Sequence, residues 1–146
     1  MKVLILGDGL LGQELQKLTG WDYVSRKKYS SSNEDTFDIT NIDSYPGNLT
    51  EGVVPGFINR KYDVLVNCIA HTDTYSDDRE SHWNVNYKGV DNLINFCNKW
   101  KMKLVHISSD YIYAGSNENA KETDVPVHCN NWYGYTKLLA DGLVQL

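Results

Sequence analysis

The sequence predicts a parallel α/β sheet wound by helices on both faces, on three observations. Apolar runs of strand length alternate with stretches of helical period, the pattern of a sheet covered by helices. The first run ends in a glycine-rich turn that opens a helix. A later run, residues 63–70, is almost continuously apolar and rich in Val, Leu and Ile, as expected for a strand at the buried centre of a sheet.

Each element follows in order. Residues 2–6 form the first strand and residues 10–18 the first helix. Residues 22–25 make a short second strand, and a weaker third is expected around residues 36–39. The central strand at 63–70 leads into an amphipathic helix over residues 78–99, where Trp83, Tyr87, Val90, Leu93, Ile94 and Cys97 recur at three- and four-residue steps. Residues 103–108 are another strand and residues 135–146 a final helix. Between residues 42 and 60, Pro46-Gly47 and Pro55-Gly56 interrupt any long helix. Parallel strands need crossovers, right-handed ones are strongly favoured, and the ligand of such a sheet sits at the carboxyl ends of its strands.

Composition narrows the class. The 146 residues suit one domain, and 41% hydrophobic with 23% charged residues is ordinary globular material. A net charge of -5 argues against a nucleic-acid partner, for which a basic surplus is usual. Cys68, Cys97 and Cys129 have no Cys-x-x-Cys spacing, so reduced thiols are expected and a metal site is not. The opening run at Val3-Leu4-Ile5-Leu6 is too short for a signal peptide, and no stretch approaches the ~18 apolar residues of a membrane span. The expectation is a cytoplasmic, soluble chain with no membrane partner, in which the Asn48-Leu49-Thr50 sequon has no role.

The turn after the first strand reads Gly7-Asp8-Gly9-Leu10-Leu11-Gly12. Gly7 suits a tight turn, Gly9 lets the backbone approach a pyrophosphate, and Gly12 lets helix and strand pack closely. The amides at the helix start, on Leu10, Leu11 and Gly12, then face the diphosphate with the helix dipole behind them. An acidic residue at the end of the second strand would favour NAD(H). This chain has Ser25-Arg26-Lys27-Lys28 instead. A guanidinium grips phosphate in a bidentate way, so NADP(H) is the expected cofactor, with Arg26 as its reader and NAD(H) as the alternative. A solvated basic turn is the plainer reading of the same residues. Asp38-Ile39 is a candidate adenine contact or a simple turn.

Chemistry enters at Tyr133-Gly134-Tyr135-Thr136-Lys137, which puts a phenol and an ammonium one helical turn apart. Free tyrosine titrates near ~10, so proton transfer near neutrality gains from a cation that stabilises the phenolate. Lys137 meets that need and could also bond the nicotinamide ribose. Ser109, just past the strand ending at Ser108, could hold a substrate oxygen beside the phenol. Taken singly, each is as well read as a core tyrosine or a strand-end serine.

Together these residues resemble the extended short-chain dehydrogenase/reductase superfamily, and within it the dTDP-4-dehydrorhamnose reductase-like branch of sugar-nucleotide enzymes. The likeness runs through the glycine loop, Asp38-Ile39-Thr40, residues 67–72, Asn86 with Gly89 and Asn92-Leu93, His106-Ile107-Ser108-Ser109-Asp110-Tyr111, and Tyr133-Gly134 with Lys137. Its most specific part is the serine segment, followed at family-like distance by Glu122, Pro126 and Tyr133. The resemblance implies a Rossmann-like fold with residues 1–146 as its NAD(P)-binding domain, and a sugar-nucleotide substrate. It implies Ser109, Tyr133 and Lys137 as catalytic residues, backbone around Asn67, Ala70 and His71 along the cofactor, and Asn86 in support. The implied activity is NADP(H)-dependent reduction of a 4-keto sugar nucleotide. An epimerase or dehydratase on the same scaffold, or a non-catalytic NAD(P)-binding regulatory module, are the alternatives.

The chain departs from the family pattern in three places. Its glycine loop is one residue shorter than Gly-x-x-Gly-x-x-Gly, and Asp73-Thr74-Tyr75-Ser76 replaces the usual Val-Asp pair. Family members also continue past the catalytic helix into the segments that carry most substrate contacts. Strand 103–108 is then an apolar edge calling for a cover, either a missing C-terminal half or the second copy in a homodimer. His71 and His106 have no ligand partners at metal spacing and are read as packing or hydrogen-bonding residues. Trp21, Trp83, Trp100 and Trp132 are read as core and rim aromatics, and Asp73, Asp77, Asp78 and Glu80 as a solvated acidic loop and helix start.

Overall fold

The computed structural model describes residues 1–26, 37–41, 44, 62–113, 119–124 and 129–146. The expectations for Lys27 and Lys28, the prolines of the 42–60 crossover and Pro126 lie outside those residues. Contacts divide the chain into two compact units, Met1–Ile69 with Asn92–Ile107, and Ala70–Asp91 with Ser108–Leu146.

The first unit is a four-stranded parallel sheet in the order β2-β1-β3-β4, formed by β1 (Val3–Leu6), β2 (Asp22–Val24), β3 (Val64–Asn67) and β4 (Lys103–His106). Leu4 pairs with Leu65, and Leu65 with Leu104. All four residues of β1 and of β3 are buried, the signature of strands covered on both faces. In β4 Lys103 and Val105 are exposed while Leu104 and His106 are half-buried, as suits the edge of the described sheet. Helix α1 (Leu10–Thr19) ends at Gly20, whose backbone is left-handed (φ 69°) and whose N–H donates to Gln16 O at 2.8 Å. Leu15 and Trp21 pack with Cys68 and Ile107 on the core of Val3, Val64 and Val66.

The expected strand at 36–39 is corrected among the described residues. Phe37 N–H donates to Ser25 O at 2.9 Å, and the chain then turns. The Asp38 carboxylate accepts Thr40 N–H at 2.9 Å and the Thr40 hydroxyl at 2.8 Å. An aspartate that closes on the backbone two residues ahead competes with a sheet ladder, and here the turn wins. Phe37 and Ile39 are still buried, which is why the segment carries a strand-like alternation.

The second unit is helical. Asp78 caps α2 (Arg79–His82) by accepting Ser81 N–H at 3.0 Å. A π-helical turn follows over Trp83–Lys88, and then α3 (Gly89–Trp100), which runs on into the first unit. The helix expected over residues 78–99 is thus present with one widened turn inside it. A 3₁₀ turn spans Asp110–Tyr113. Helix α4 covers Trp132–Gln145, starting earlier than expected because Asn131 caps it, accepting Gly134 N–H at 2.7 Å. Gly134 lets α4 come close to the 3₁₀ turn: a Cβ at this point would lie 2.6 Å from Tyr111 O.

Candidate active site

In the first unit the glycine loop expected to hold a diphosphate follows directly on the end of β1. Gly7 has φ +102°, a conformation reserved in practice for glycine, and its N–H donates to Val24 O at 2.8 Å. This bond fixes the turn to the neighbouring strand. A Cβ on Gly12 would lie 2.1 Å from Gly7 O, so only glycine lets α1 pass this close to the turn. A Cβ on Gly9 would meet nothing within 4 Å. Gly9 stands at the N-cap and offers no capping side chain, so the amides of Leu10, Leu11 and Gly12 open α1 beneath free space. Leu10 and Leu11 are exposed there. Open space over an uncapped helix start fits a diphosphate.

At the end of β2, Ser25 is buried and Arg26 exposed. Asp38 and Ile39 lie in the turn already described. Asn67 ends β3 with its side chain fully buried: Oδ1 accepts Ile69 N–H at 3.0 Å, and Nδ2 meets His106 Nδ1 at 3.0 Å. Its amide therefore shapes the bend after β3.

The second unit holds Ala70, His71, Ser109, Tyr133 and Lys137. Tyr133 and Lys137 sit one turn apart on α4, both buried, with Lys137 only 1% exposed. Burial lowers the Lys137 ammonium to about 8, and the Asp141 carboxylate opposes that fall. The Ser109 hydroxyl accepts Tyr111 N–H at 3.2 Å, and the Tyr111 ring stands edge-on to Tyr133 with centroids 5.6 Å apart. Ser109 is thereby tied to the Tyr133 neighbourhood through Tyr111.

Sequence reasoning took Asn86 as support for the site but missed what surrounds it. Its Oδ1 accepts His71 N–H at 2.8 Å, while its Nδ2 reaches His71 O at 3.1 Å, Thr136 Oγ1 at 3.3 Å and His82 Nδ1 at 3.4 Å. The Oδ1 contact sets which way the amide points, so Nδ2 is the atom that faces the His82 ring, the farthest of its three partners. His82 Nε2 and His71 Nε2 are both buried, and the two imidazoles stand edge-on at 4.5 Å. The His82 pKa lies below its usual value, chiefly from burial and then from His71, with the Asp73 backbone, Asp78 and Asp73 opposing. The signal for this network in sequence was faint: His82 is polar and falls four residues before Asn86.

Known proteins resemble the chain over almost its whole length. A family model described as the RmlD substrate binding domain matches residues 1–146. The chain belongs to this RmlD family. A dTDP-4-dehydrorhamnose reductase of Aggregatibacter actinomycetemcomitans is 30% identical over 98% of the chain and 46% of that protein. The crystal structure of a dTDP-4-dehydrorhamnose reductase from Clostridium acetobutylicum aligns with a TM-score of 0.74 at 29% identity, over 99% of this chain and 49% of the other. The Bacillus anthracis dTDP-4-dehydrorhamnose reductase, solved in complex with NADP, aligns with a TM-score of 0.73 at 25% identity, over 99% of this chain and 50% of the other. This RmlD-family chain therefore has the Rossmann-like fold that its sequence predicted, and it spans about half the length of these relatives. Among the described residues no helix is long and apolar enough to cross a membrane.

Proposed function

We propose that this chain carries the NADP(H) site and the acid–base pair of a reductase acting on a 4-keto sugar nucleotide. The observation that carries the reading is the burial of Tyr133 and Lys137 together on one turn of α4. A lysine costs free energy to bury, and one placed a turn from a tyrosine is well used as the cation that stabilises a phenolate. Family membership and the NADP held by the Bacillus anthracis relative support it.

The chain's own residues divide the work. Gly7, Gly9 and Gly12, with the amides of Leu10 and Leu11, receive the diphosphate. Arg26 takes the 2′-phosphate, in the place where an acid would select a 2′-hydroxyl, and Ser25 closes the end of β2 beside it. Asp38 and Ile39 flank the adenine, and backbone at Asn67, Ala70 and His71 follows the remainder. When bound, the reduced nicotinamide supplies the hydride for the carbonyl carbon. Ser109 holds the carbonyl oxygen by its hydroxyl. Tyr133 gives that oxygen its phenolic proton, and Lys137 stabilises the phenolate left behind until solvent returns the proton. The free cysteines Cys68, Cys97 and Cys129 suit a cytoplasmic setting, and a homodimer is the expected assembly.

The test is NADPH oxidation, followed by absorbance, against a panel of 4-keto sugar nucleotides. Wild type should turn over at least one of them. Tyr133→Phe should lose roughly 10²–10⁴-fold in rate while keeping NADPH affinity. NADPH binding with no turnover by wild type on any member would sink the reductase reading in favour of a binding module.

A further inference from the structure

Lys137 shares its helix with a carboxylate one turn further on. Asp141 lies one turn beyond it, extending the Tyr133–Lys137 stripe in steps of four. The Ser108 hydroxyl donates a hydrogen bond to the Asp141 carboxylate. Ser108 immediately precedes Ser109, so this bond fastens the serine segment to α4. Asp141 is half-buried, and Lys137 is almost completely buried.

We propose that Asp141 is a positioning residue for the acid–base pair: its carboxylate anchors the Ser108-Ser109 segment to α4 and serves as counter-ion to Lys137, one turn earlier on the same helix. This rests on the reading of Tyr133, Lys137 and Ser109 as the reacting group. The physical need is plain. Burial alone favours the neutral amine, and a neutral amine cannot stabilise a phenolate. Lys137 titrates at about 8, with Asp141 acting against burial. Other ionisable groups stand on the segments packed against α4: Arg79, Glu80 and His82 on α2, Tyr87 and Lys88 on the π turn, and Asp110, Tyr111 and Tyr113 on the 3₁₀ turn, with Tyr133 and Tyr135 on α4 itself. The experiment must therefore read Lys137 directly.

The direct measurement is an NMR titration of the Lys137 side chain in the full chain, its resonance assigned by its loss in Lys137→Met. Wild type, Asp141→Asn, Asp141→Glu and Ser108→Ala are compared. Asp141→Asn should move the midpoint below the wild-type value, and Asp141→Glu should restore most of it. A fall of one unit would take the ammonium fraction at pH 8 from about one half to about one tenth. Ser108→Ala should leave the Lys137 midpoint near that of wild type but lower kcat, because only the anchor is cut. Activity needs the ammonium and is lost as pH rises through the Lys137 pKa, so Asp141→Asn should bring that loss to lower pH.

An unchanged midpoint in folded Asp141→Asn overturns the proposal. Should that variant fail to fold, a wild-type kcat in Ser108→Ala overturns the anchoring. The two readings fail separately. A shifted midpoint in a protein that never oxidises NADPH would end the reductase proposal alone, and turnover with an unmoved midpoint would end this one alone.

Discussion

Alanine at Gly9 and at Gly12 should have opposite consequences, although the two sites are three residues apart. At Gly12 the added Cβ would come to 2.1 Å from a backbone oxygen, with no flexible side chain to give way. Overpacking of this kind costs ~3 kcal/mol or more, against which helix propensity returns ~1 kcal/mol. The net loss of ~2 kcal/mol should lower Tm by roughly 4–8 °C in a chain of this size. At Gly9 the Cβ meets nothing, and the backbone (φ -69°, ψ -176°) is open to any residue. Stability should therefore fall by less than ~1 kcal/mol, the cost of a poorer N-cap. The same methyl would stand where the diphosphate is placed, so NADPH affinity should fall by about tenfold or more, the equivalent of ~1.4 kcal/mol. Thermal unfolding by circular dichroism and NADPH titration by calorimetry read the two effects independently. Wild-type NADPH affinity in Gly9→Ala would take the diphosphate away from this turn. A wild-type Tm in Gly12→Ala would refute the packing argument itself.

Two further outcomes follow from single side chains. Arg26→Ala should raise the Kd for NADPH by roughly 10–100-fold, the loss of a charge-assisted bond, and leave NADH almost unaffected; equal effects on the two cofactors would count against Arg26 as the 2′-phosphate reader. His82 has a folded pKa depressed below the unfolded value, so it binds its proton more readily in the unfolded chain. It therefore costs nothing above the unfolded pKa, and stability falls as pH drops from there toward the folded pKa. Urea unfolding from pH 8 to pH 5 should accordingly show a shallower decline in His82→Leu than in wild type, and parallel declines would reject the buried neutral imidazole.

Much of the fold was legible because burial writes itself into composition. The two strands covered on both faces, β1 and β3, are continuous apolar runs, and the glycine spacing marks where β1 turns into α1. The segment around Phe37 and Ile39 misled for a definite reason: both side chains are buried, as in a strand, but an aspartate between them binds its own backbone. In the long helical stretch, the periodicity placed Trp83 and Tyr87 on the inner face. The structure buries His82 and Asn86 there, while Trp83 and Tyr87 remain half-buried against each other, with centroids 4.5 Å apart. A π turn adds a residue to one helical repeat and so displaces the inward face by one position, which no fixed period anticipates. The Tyr133 and Lys137 pairing could be read from spacing alone. Asp141 could not, because its partner Ser108 is distant in sequence and nothing local announces that they meet.

Asn86 has a consequence for how the backbone is held in the helical unit. One carboxamide grips the peptide at position 71 from both sides and, with the same nitrogen, faces a neighbouring ring. Turning that amide over would set donor against donor and acceptor against acceptor on the backbone of His71. A chemically neutral group thus fixes a stretch of backbone that lies far from it along the chain.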